Sequence, residues 1–394
     1  MTEIFTGNFT QQEPILDEAI EAAVAVMLHG RLHRYNEAAD EVAQTALLEQ
    51  EFAAQMGARY CLAVASGGYA LATALRALGV KPGDRVLTNA FTLAPVPGAI
   101  ASVGAVPIFV GVTEALVIDL EDLAAKADQA DILMLSHMRG HIVDMDALMA
   151  LAQAHNLKVI EDCAHTMGAK WSDTWSGRAG IIGCYSCQTY KHVNSGEGGL
   201  LICDDDEIMA RAIMLSGSYM LYGKHRAGPP SEAYEAVRLV TPNISGRMDN
   251  LRAAILRPQL RQLEAQCTAW NDRYRVVDQG LADVAGLTRP QQEKFVASSY
   301  QFLLLDWPAE AIRSVLARCL ARGVELKWFG APDPVGFTSR YDSWTYAPSS
   351  AMRKSDRILH GIVDMRLPLT FSSDDCATVA RIIAQEVAEE ASAG

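Results

Sequence analysis

Up to about residue 160, short apolar runs alternate with stretches that repeat apolar residues at helical spacing, and turn residues separate them. Residues 38–56 carry Leu47, Leu48, Phe52 and Met56 on one side of a predicted helix. A strand over 60–65 follows, then the break Ser66-Gly67-Gly68 and a helix over 69–78. The turn Val80-Lys-Pro-Gly-Asp84 leads to a strand at 85–88. Helices at 99–103, 120–127 and 144–155 then alternate with strands at 106–110, 132–136 and 158–160. Such alternation predicts an α/β architecture with a largely parallel sheet covered on both faces. Ligands in such sheets sit beyond the carboxyl ends of the strands, and both Ser66-Gly67-Gly68 and Asp162 fall at such ends.

The pattern changes further on. A long helix is predicted over 247–274, interrupted at Pro258. Then come an extended run at 300–305, a helix at 308–322, a strand at 324–328 and a terminal helix at 374–390. We expect a large domain over 1–260 and a smaller α/β domain over 261–394. Residues 86–113 carry no charge, but Pro95, Pro97, Gly98, Gly104, Pro107 and Gly111 divide them into a loop, a helix and a strand rather than a membrane span.

Composition narrows the functional classes. The formal charge of −13 disfavours nucleic-acid and anionic-membrane partners. The first eight residues lack a basic-then-apolar leader, which points to the cytoplasm. Eight scattered cysteines fit reduced, buried thiols. Cys184-Tyr-Ser-Cys187 has neither a second such pair nor a histidine doublet, so no metal is expected.

The candidate chemistry centres on Ser186-Cys-Gln188-Thr-Tyr190-Lys191-His192-Val-Asn-Ser-Gly-Glu-Gly-Gly199. An amine among small and hydroxyl residues, before a glycine-rich turn, suits the aldehyde cofactor pyridoxal 5′-phosphate (PLP). Asp162, ending an apolar run, suits the pyridine nitrogen of that cofactor; its simpler reading is a helix cap. His165, three residues on, either faces the same ring or is an ordinary core histidine. Ser66, Gly67 and Gly68 precede a helix, where free N–H groups favour a phosphate, and Ser186 adds a hydroxyl.

These motifs resemble the DegT/DnrJ/EryC1/StrS family, the sugar and aminocyclitol aminotransferases of PLP fold type I. Val159-Ile-Glu-Asp162-Cys-Ala-His165 is similar to its cofactor aspartate segment, and Ser186 to Gly199 to its lysine signature. Leu135-Ser-His137-Met-Arg139-Gly140, followed by Asp144-Met-Asp146, resembles its His-x-x-Gly-x-x-x-Asp-x-Asp segment. The resemblance implies a seven-stranded large-domain sheet and a homodimer with the active site at the interface. It also implies amino transfer from L-glutamine or L-glutamate to a keto-cyclitol, keto-sugar or related biosynthetic intermediate. Relatives that deoxygenate sugars carry histidine where this chain keeps Lys191. Gln188 and the Ser-Gly-Glu-Gly-Gly run look closer to the aminocyclitol and aminohydroxybenzoate branch.

The chain departs from the family at several positions. Gly67-Gly68 stands in place of Gly-Thr, and Leu93 in place of a ring-stacking aromatic. Ser245 occupies the position of a phosphate-binding asparagine, with Asn243 nearby as a substitute. Arg139, Tyr190 and His192 are candidates for substrate contact; Arg139 serves either a substrate carboxylate or a structural one. Lys327-Trp-Phe329 fits an ordinary strand end. Two rival functions remain: another PLP reaction on an amino-acid-like substrate (elimination, decarboxylation or retro-aldol), and a non-catalytic ligand sensor.

Overall fold

The computed structural model describes residues 3–290 and 296–393. Helices α1 (Asp17–His29) and α2 (Gln44–Met56) lead into strand β1 (Tyr60–Val64) and helix α3 (Gly67–Ala77). The alternation continues with β2 (Arg85–Asn89), α4 (Pro95–Ser102), β3 (Val106–Val110), α5 (Leu120–Lys126), β4 (Ile132–Ser136), α6 (Met145–Ala154) and β5 (Lys158–Asp162). A small hairpin, β6 (Lys170–Trp171) and β7 (Thr174–Trp175), precedes β8 (Ile182–Ser186), β9 (Gly199–Cys203) and α7 (Asp206–Leu215). The seven-stranded sheet has the order β1-β9-β8-β5-β4-β2-β3. Only β9 runs antiparallel to its neighbours, so the carboxyl ends of β1, β2, β4, β5 and β8 lie along one edge.

Alternation along each strand explains why the sheet is buried on both faces. In β4, Leu133 and Leu135 join one core with Leu48, Phe52 and Tyr185. Ile132 and Met134 point the other way, into a core with Leu62, Leu71 and Ile213.

The chain continues through α8 (Asn250–Leu260), α9 (Leu263–Gly280), β10 (Ser299–Leu303), α10 (Ala309–Ala321), β11 (Lys327–Trp328), α11 (Arg353–Gly361), β12 (Ile362–Arg366) and α12 (Ser373–Ala393). β10, β12 and β11 form an antiparallel sheet in that order, over a core that includes Tyr300, Phe302, Val315 and Ile383. Phe5 and Phe9 pack into this core, so the N-terminal segment lies against the C-terminal sheet. Phe91, Phe109, Phe329, Trp344 and Ile362 make an apolar joint between the two sheets. Among the described residues no helix is long and apolar enough to cross a membrane.

Several predicted boundaries shift. The first long helix starts at Gln44 rather than residue 38, because Ala43 N–H turns aside to Glu37 Oε1 (2.9 Å). The 69–78 helix begins earlier, at Gly67, with Ser66 as its cap. Pro258 does not break the 247–274 helix; it sits in the last turn of α8, and the break follows at Arg261 and Gln262. Of the strand expected at 324–328 only Lys327–Trp328 pairs, while the N-terminal segment docks just ahead of it through Phe5 N–H to Arg322 O (2.8 Å).

One buried polar network ties the N-terminal half together. Arg34 donates bidentately to Glu49 (both 2.9 Å), and Glu49 also accepts from Ala63 N–H of β1 (2.8 Å). An arginine only donates, so His225 Nδ1 accepts from Arg34 (3.0 Å) and its Nε2 is left to donate to Tyr35 Oη (2.8 Å). Glu49→Gln leaves the Arg34 charge enclosed without a counter-ion. We expect a loss of about 3–5 kcal/mol, read from the urea unfolding midpoint. Arg381→Ala, which opens an exposed pair with Glu3, should leave that midpoint nearly unchanged.

Candidate active site

The strand ends converge on a cavity of about 890 Å³. Asp162, at the end of β5, is buried there with both oxygens engaged. Its Oδ2 accepts from Ser136 Oγ at the end of β4 (2.9 Å), and its Oδ1 from Ala164 N–H (3.2 Å). Ser136 Oγ in turn accepts from Thr92 Oγ1 (2.9 Å). Asn89, ending β2, clamps the Ser136 backbone: Ser136 N–H donates to Asn89 Oδ1 (2.9 Å), and Asn89 Nδ2 donates to Ser136 O (2.9 Å). Burial pushes the Asp162 carboxyl above its usual range, opposed by the Ser136 and Ala164 hydrogen bonds and by the Lys191 charge. Among the described residues it has no ion-pair partner within salt-bridge distance.

Lys191 sits on a loop folded back on itself. Cys187 N–H donates to Gly198 O (2.8 Å), Lys191 N–H to Gln188 O (2.9 Å), and Tyr190 N–H to Gln188 Oε1 (2.9 Å). The Gln188 side chain therefore supports the turn that presents the lysine. Lys191 Nζ lies 2.8 Å from His165 Nε2. Burial and then the Arg139 charge bring Lys191 down to about 7, against the pull of Asp162. Burial, followed by the Lys191 charge, holds His165 well below the usual histidine range, so its ring is neutral.

At the third corner, Ser66 Oγ caps α3 by accepting from Tyr69 N–H (3.1 Å). The N–H groups of Gly67 and Gly68 lie in the first turn, where no intrahelical acceptor exists. A Cβ on Gly67 would come within 2.8 Å of Ser186 Cβ, so this close approach requires glycine. Gly68 differs: its nearest neighbour would be Pro95 Cβ at 3.7 Å. Packing alone therefore does not exclude a side chain there. Leu93 lines the cavity wall.

The substrate candidates divide. Arg139 lines the cavity, but its Nη2 donates to the fully buried Asp364 (2.9 Å), and its guanidinium lies 5.6 Å from the Phe329 ring centroid. The bond to a structural carboxylate is therefore present, while the buried Arg139 Nε has no partner among the described residues. Tyr190 stacks under the Arg366 guanidinium, 3.3 Å from the ring centroid. His192 is buried edge-on against Trp270 and pushed down to about 3 by burial. Neither of its ring nitrogens has a partner among the described residues, and the residue lines the cavity.

Asn243 and Ser245 do not join this group. Both are exposed and lie outside the cavity lining, and Asn243 Oδ1 accepts from Tyr219 N–H (2.8 Å). His137 also points elsewhere, to Glu161 Oε2 (3.0 Å), whose carboxylate further accepts from Gly177 and Gly180 N–H. Asn89, Thr92, Ser136, Arg273 and Arg366 escaped the sequence analysis. Ser136 was within reach of it, since it ends an apolar strand as Asp162 does.

The arrangement has a place for each pole of PLP. The buried carboxylate without a cation suits a pyridine N–H, the partly neutral amine suits an aldehyde, and the capped helix start beside Ser186 suits a phosphate.

Comparison with known proteins agrees. The sequence profile of the DegT/DnrJ/EryC1/StrS aminotransferase family matches residues 16–384. The chain is similar to a putative L-glutamine:3-amino-2,3-dideoxy-scyllo-inosose aminotransferase from Micromonospora echinospora. Those two are 30% identical over 71% of this chain and 66% of that relative. A protein of the same description from Streptoalloteichus tenebrarius is 29% identical, over 82% of this chain and 77% of its own. The fold matches the crystal structure of 3-amino-5-hydroxybenzoic acid synthase with a TM-score of 0.82 at 24% identity, covering 99% of this chain and 100% of that one.

The position of Lys191 has a measurable consequence. In cofactor-free protein, reductive methylation of Lys191 should rise with pH through a midpoint near 7, rather than near the ordinary lysine value of about 10.4. Arg139→Met removes a neighbouring positive charge and should move that midpoint upward, as peptide mapping of the labelled lysine across pH would report. A wild-type midpoint near that ordinary value would show an amine that is not desolvated.

Proposed function

The chain is a PLP-dependent aminotransferase of the DegT/DnrJ/EryC1/StrS family, and we propose that it moves an amino group from L-glutamine or L-glutamate onto a keto-cyclitol, a keto-sugar or a related biosynthetic intermediate. The observation that carries the reading is one cavity holding Lys191 against His165 beside an enclosed Asp162 without a counter-ion.

When bound, PLP supplies an electron sink for the pair left as the donor loses its α-proton. The protein's own groups do the rest. Asp162, oriented by Ser136 and Ala164, keeps a proton on the ring nitrogen and so preserves that sink. Lys191 Nζ, half neutral near pH 7, takes the donor's α-proton. His165 Nε2, neutral, accepts from that amine and fixes where it points. Ser66, Gly67, Gly68 and Ser186 hold the phosphate, Gln188 supports the lysine turn, and Leu93 covers one side of the ring. Tyr190 and His192 face the substrate. The His192 ring nitrogens, neutral and unspent, suit substrate hydroxyls.

In this reading residues 1–260 form the cofactor domain and 261–394 the smaller one. The enzyme works as a homodimer with the site at the interface. Exposed apolar residues support this: Ile20, Val24, Met27 and Leu28 on α1, then Tyr219, Met220, Leu239, Val240 and Ile244. Gln12 to Leu16, just before α1, line the cavity, so a partner seated on α1 would close over the mouth. Asn243 and Ser245, exposed beside that surface, would then serve the partner's phosphate rather than their own. Eight free, buried thiols are consistent with a cytoplasmic enzyme. The rival PLP reactions lose one support, because Arg139 is already engaged by Asp364.

Purified protein with PLP should show a visible absorption band that Lys191→Ala removes. L-glutamine or L-glutamate should bleach it in the wild type. A band that neither donor changes, but another amino acid does, would sink the donor assignment. Asp162→Asn should retain bound PLP while turnover falls by roughly 100-fold or more, since the ring nitrogen loses its proton partner. Near-normal turnover would show that another group holds that proton.

A further inference from the structure

Three arginines line the cavity: Arg139, Arg273 and Arg366. Two are already engaged. Arg139 is neutralised by Asp364, which also accepts from Gln301 Nε2 (2.7 Å). Arg273 directs its donors to the carbonyls of Ala269, Leu369 and Phe371 (2.6–2.8 Å). Arg366 has neither a carboxylate nor a hydrogen-bond acceptor for its guanidinium among the described residues. Its one side-chain contact of note is the Tyr190 ring beneath it, at 3.3 Å from the centroid.

That contact uses only the face of the guanidinium. The in-plane N–H groups, the fork that binds a carboxylate bidentately, stay free, while stacking keeps the fork in one orientation. Tyr190 adjoins Lys191, so the fork sits over the residue next to the reacting amine. Arg366 also follows Asp364 by two residues on β12, so both side chains leave the same face of the strand. The pair made by Asp364 moors that face to Arg139, whose Nε is still without a partner; Arg366 is the pocket arginine whose whole guanidinium lacks an acceptor among the described residues.

We infer that Arg366 anchors the α-carboxylate of the amino donor, setting its amine beside Lys191. The inference rests on amino transfer from glutamine or glutamate as proposed above. It goes further by naming the residue that separates an α-amino acid from a simple amine. In such a donor the carboxylate is bonded to the carbon that carries the amine. A cation next to the lysine is therefore placed for it, and the charge of Arg366 is felt at Lys191.

The test uses the PLP-loaded wild type, Arg366→Lys and Arg366→Gln, each checked for its visible absorption band as a sign of an intact pocket. Three probes are titrated: L-glutamine; glutaramate, which is glutamine without its amine; and 4-aminobutanamide, which is glutamine without its carboxylate. Calorimetry follows glutaramate, and bleaching of the band follows the two amines. Arg366→Gln should weaken glutamine and glutaramate by roughly 10- to 100-fold, the effect of one charge-assisted pair. Its response to 4-aminobutanamide should stay within about twofold of wild type, and Arg366→Lys should fall between. Equal weakening of all three probes would mark Arg366 as a structural support of Tyr190 and overturn the anchor. So would unchanged glutamine binding, which would leave Arg366 for an acidic acceptor or for none. A wild type that ignores both glutamine and glutamate overturns the donor assignment along with the anchor; normal reaction of both in Arg366→Gln overturns the anchor alone.

Discussion

Asp162 lies enclosed at the end of β5, where an ionised carboxylate is costly unless neighbours hold it. Its neighbours supply orientation but no cation. Ser136 and Ala164 donate to its two oxygens, and Asn89 fixes Ser136 by bonding its backbone on both sides. Each of these groups stands at the carboxyl end of a parallel strand or just beyond it. The sheet order β5-β4-β2 is what brings them side by side. A carboxylate prepared in this way suits the cationic ring nitrogen of the proposed cofactor site, and Lys191 and His165 line the same cavity.

The other charges follow the same logic. Lys191 shares its enclosure with Arg139, and burial followed by that neighbouring charge brings the amine to about 7. His165, against the same amine, stays neutral and therefore accepts a hydrogen bond from it without adding charge. If Asp364 did not neutralise Arg139, the lysine would face two uncompensated arginines. The Arg139–Asp364 pair thus also bears on the field at Lys191 Nζ.

What the sequence disclosed here was local, and what it concealed was spatial. Lys191, His165, Asp162 and the Ser66 to Gly68 break belong to contiguous segments whose chemistry is readable without a fold. Strand positions were readable too, because apolar runs of about five residues between turn residues are a local signal. Helix starts were less so: Gln44 begins α2 because of what Glu37 does, and a periodic pattern does not contain that. Asn89 and Ser136 are brought together only by β2 pairing with β4. The roles of Arg139 and Arg366 depend on β12, which reaches the site from the second sheet. Ser245 is a different case. Its place in the family motif was evident, but the fold leaves it exposed and outside the cavity lining, which no local pattern contains.

The two sheets meet at more than an apolar joint. Phe91, Phe109, Phe329 and Trp344 fill the seam with area, which resists separation but has no directional preference. The Arg139–Asp364 pair adds direction, since a guanidinium–carboxylate contact tolerates little sliding. Arg139 adopts a positive φ of 57° to make it, a conformation a non-glycine residue takes at some cost. Gly140, also left-handed, could not carry a side chain there, because its Cβ would lie 2.5 Å from Val296 O. The loop after β4 is therefore shaped by the second sheet as much as by the first. Because Asp162 is oriented from β4 and Arg139 stands on the loop that follows it, the register between the sheets sets the distance between Asp162 and the strand that carries Arg366.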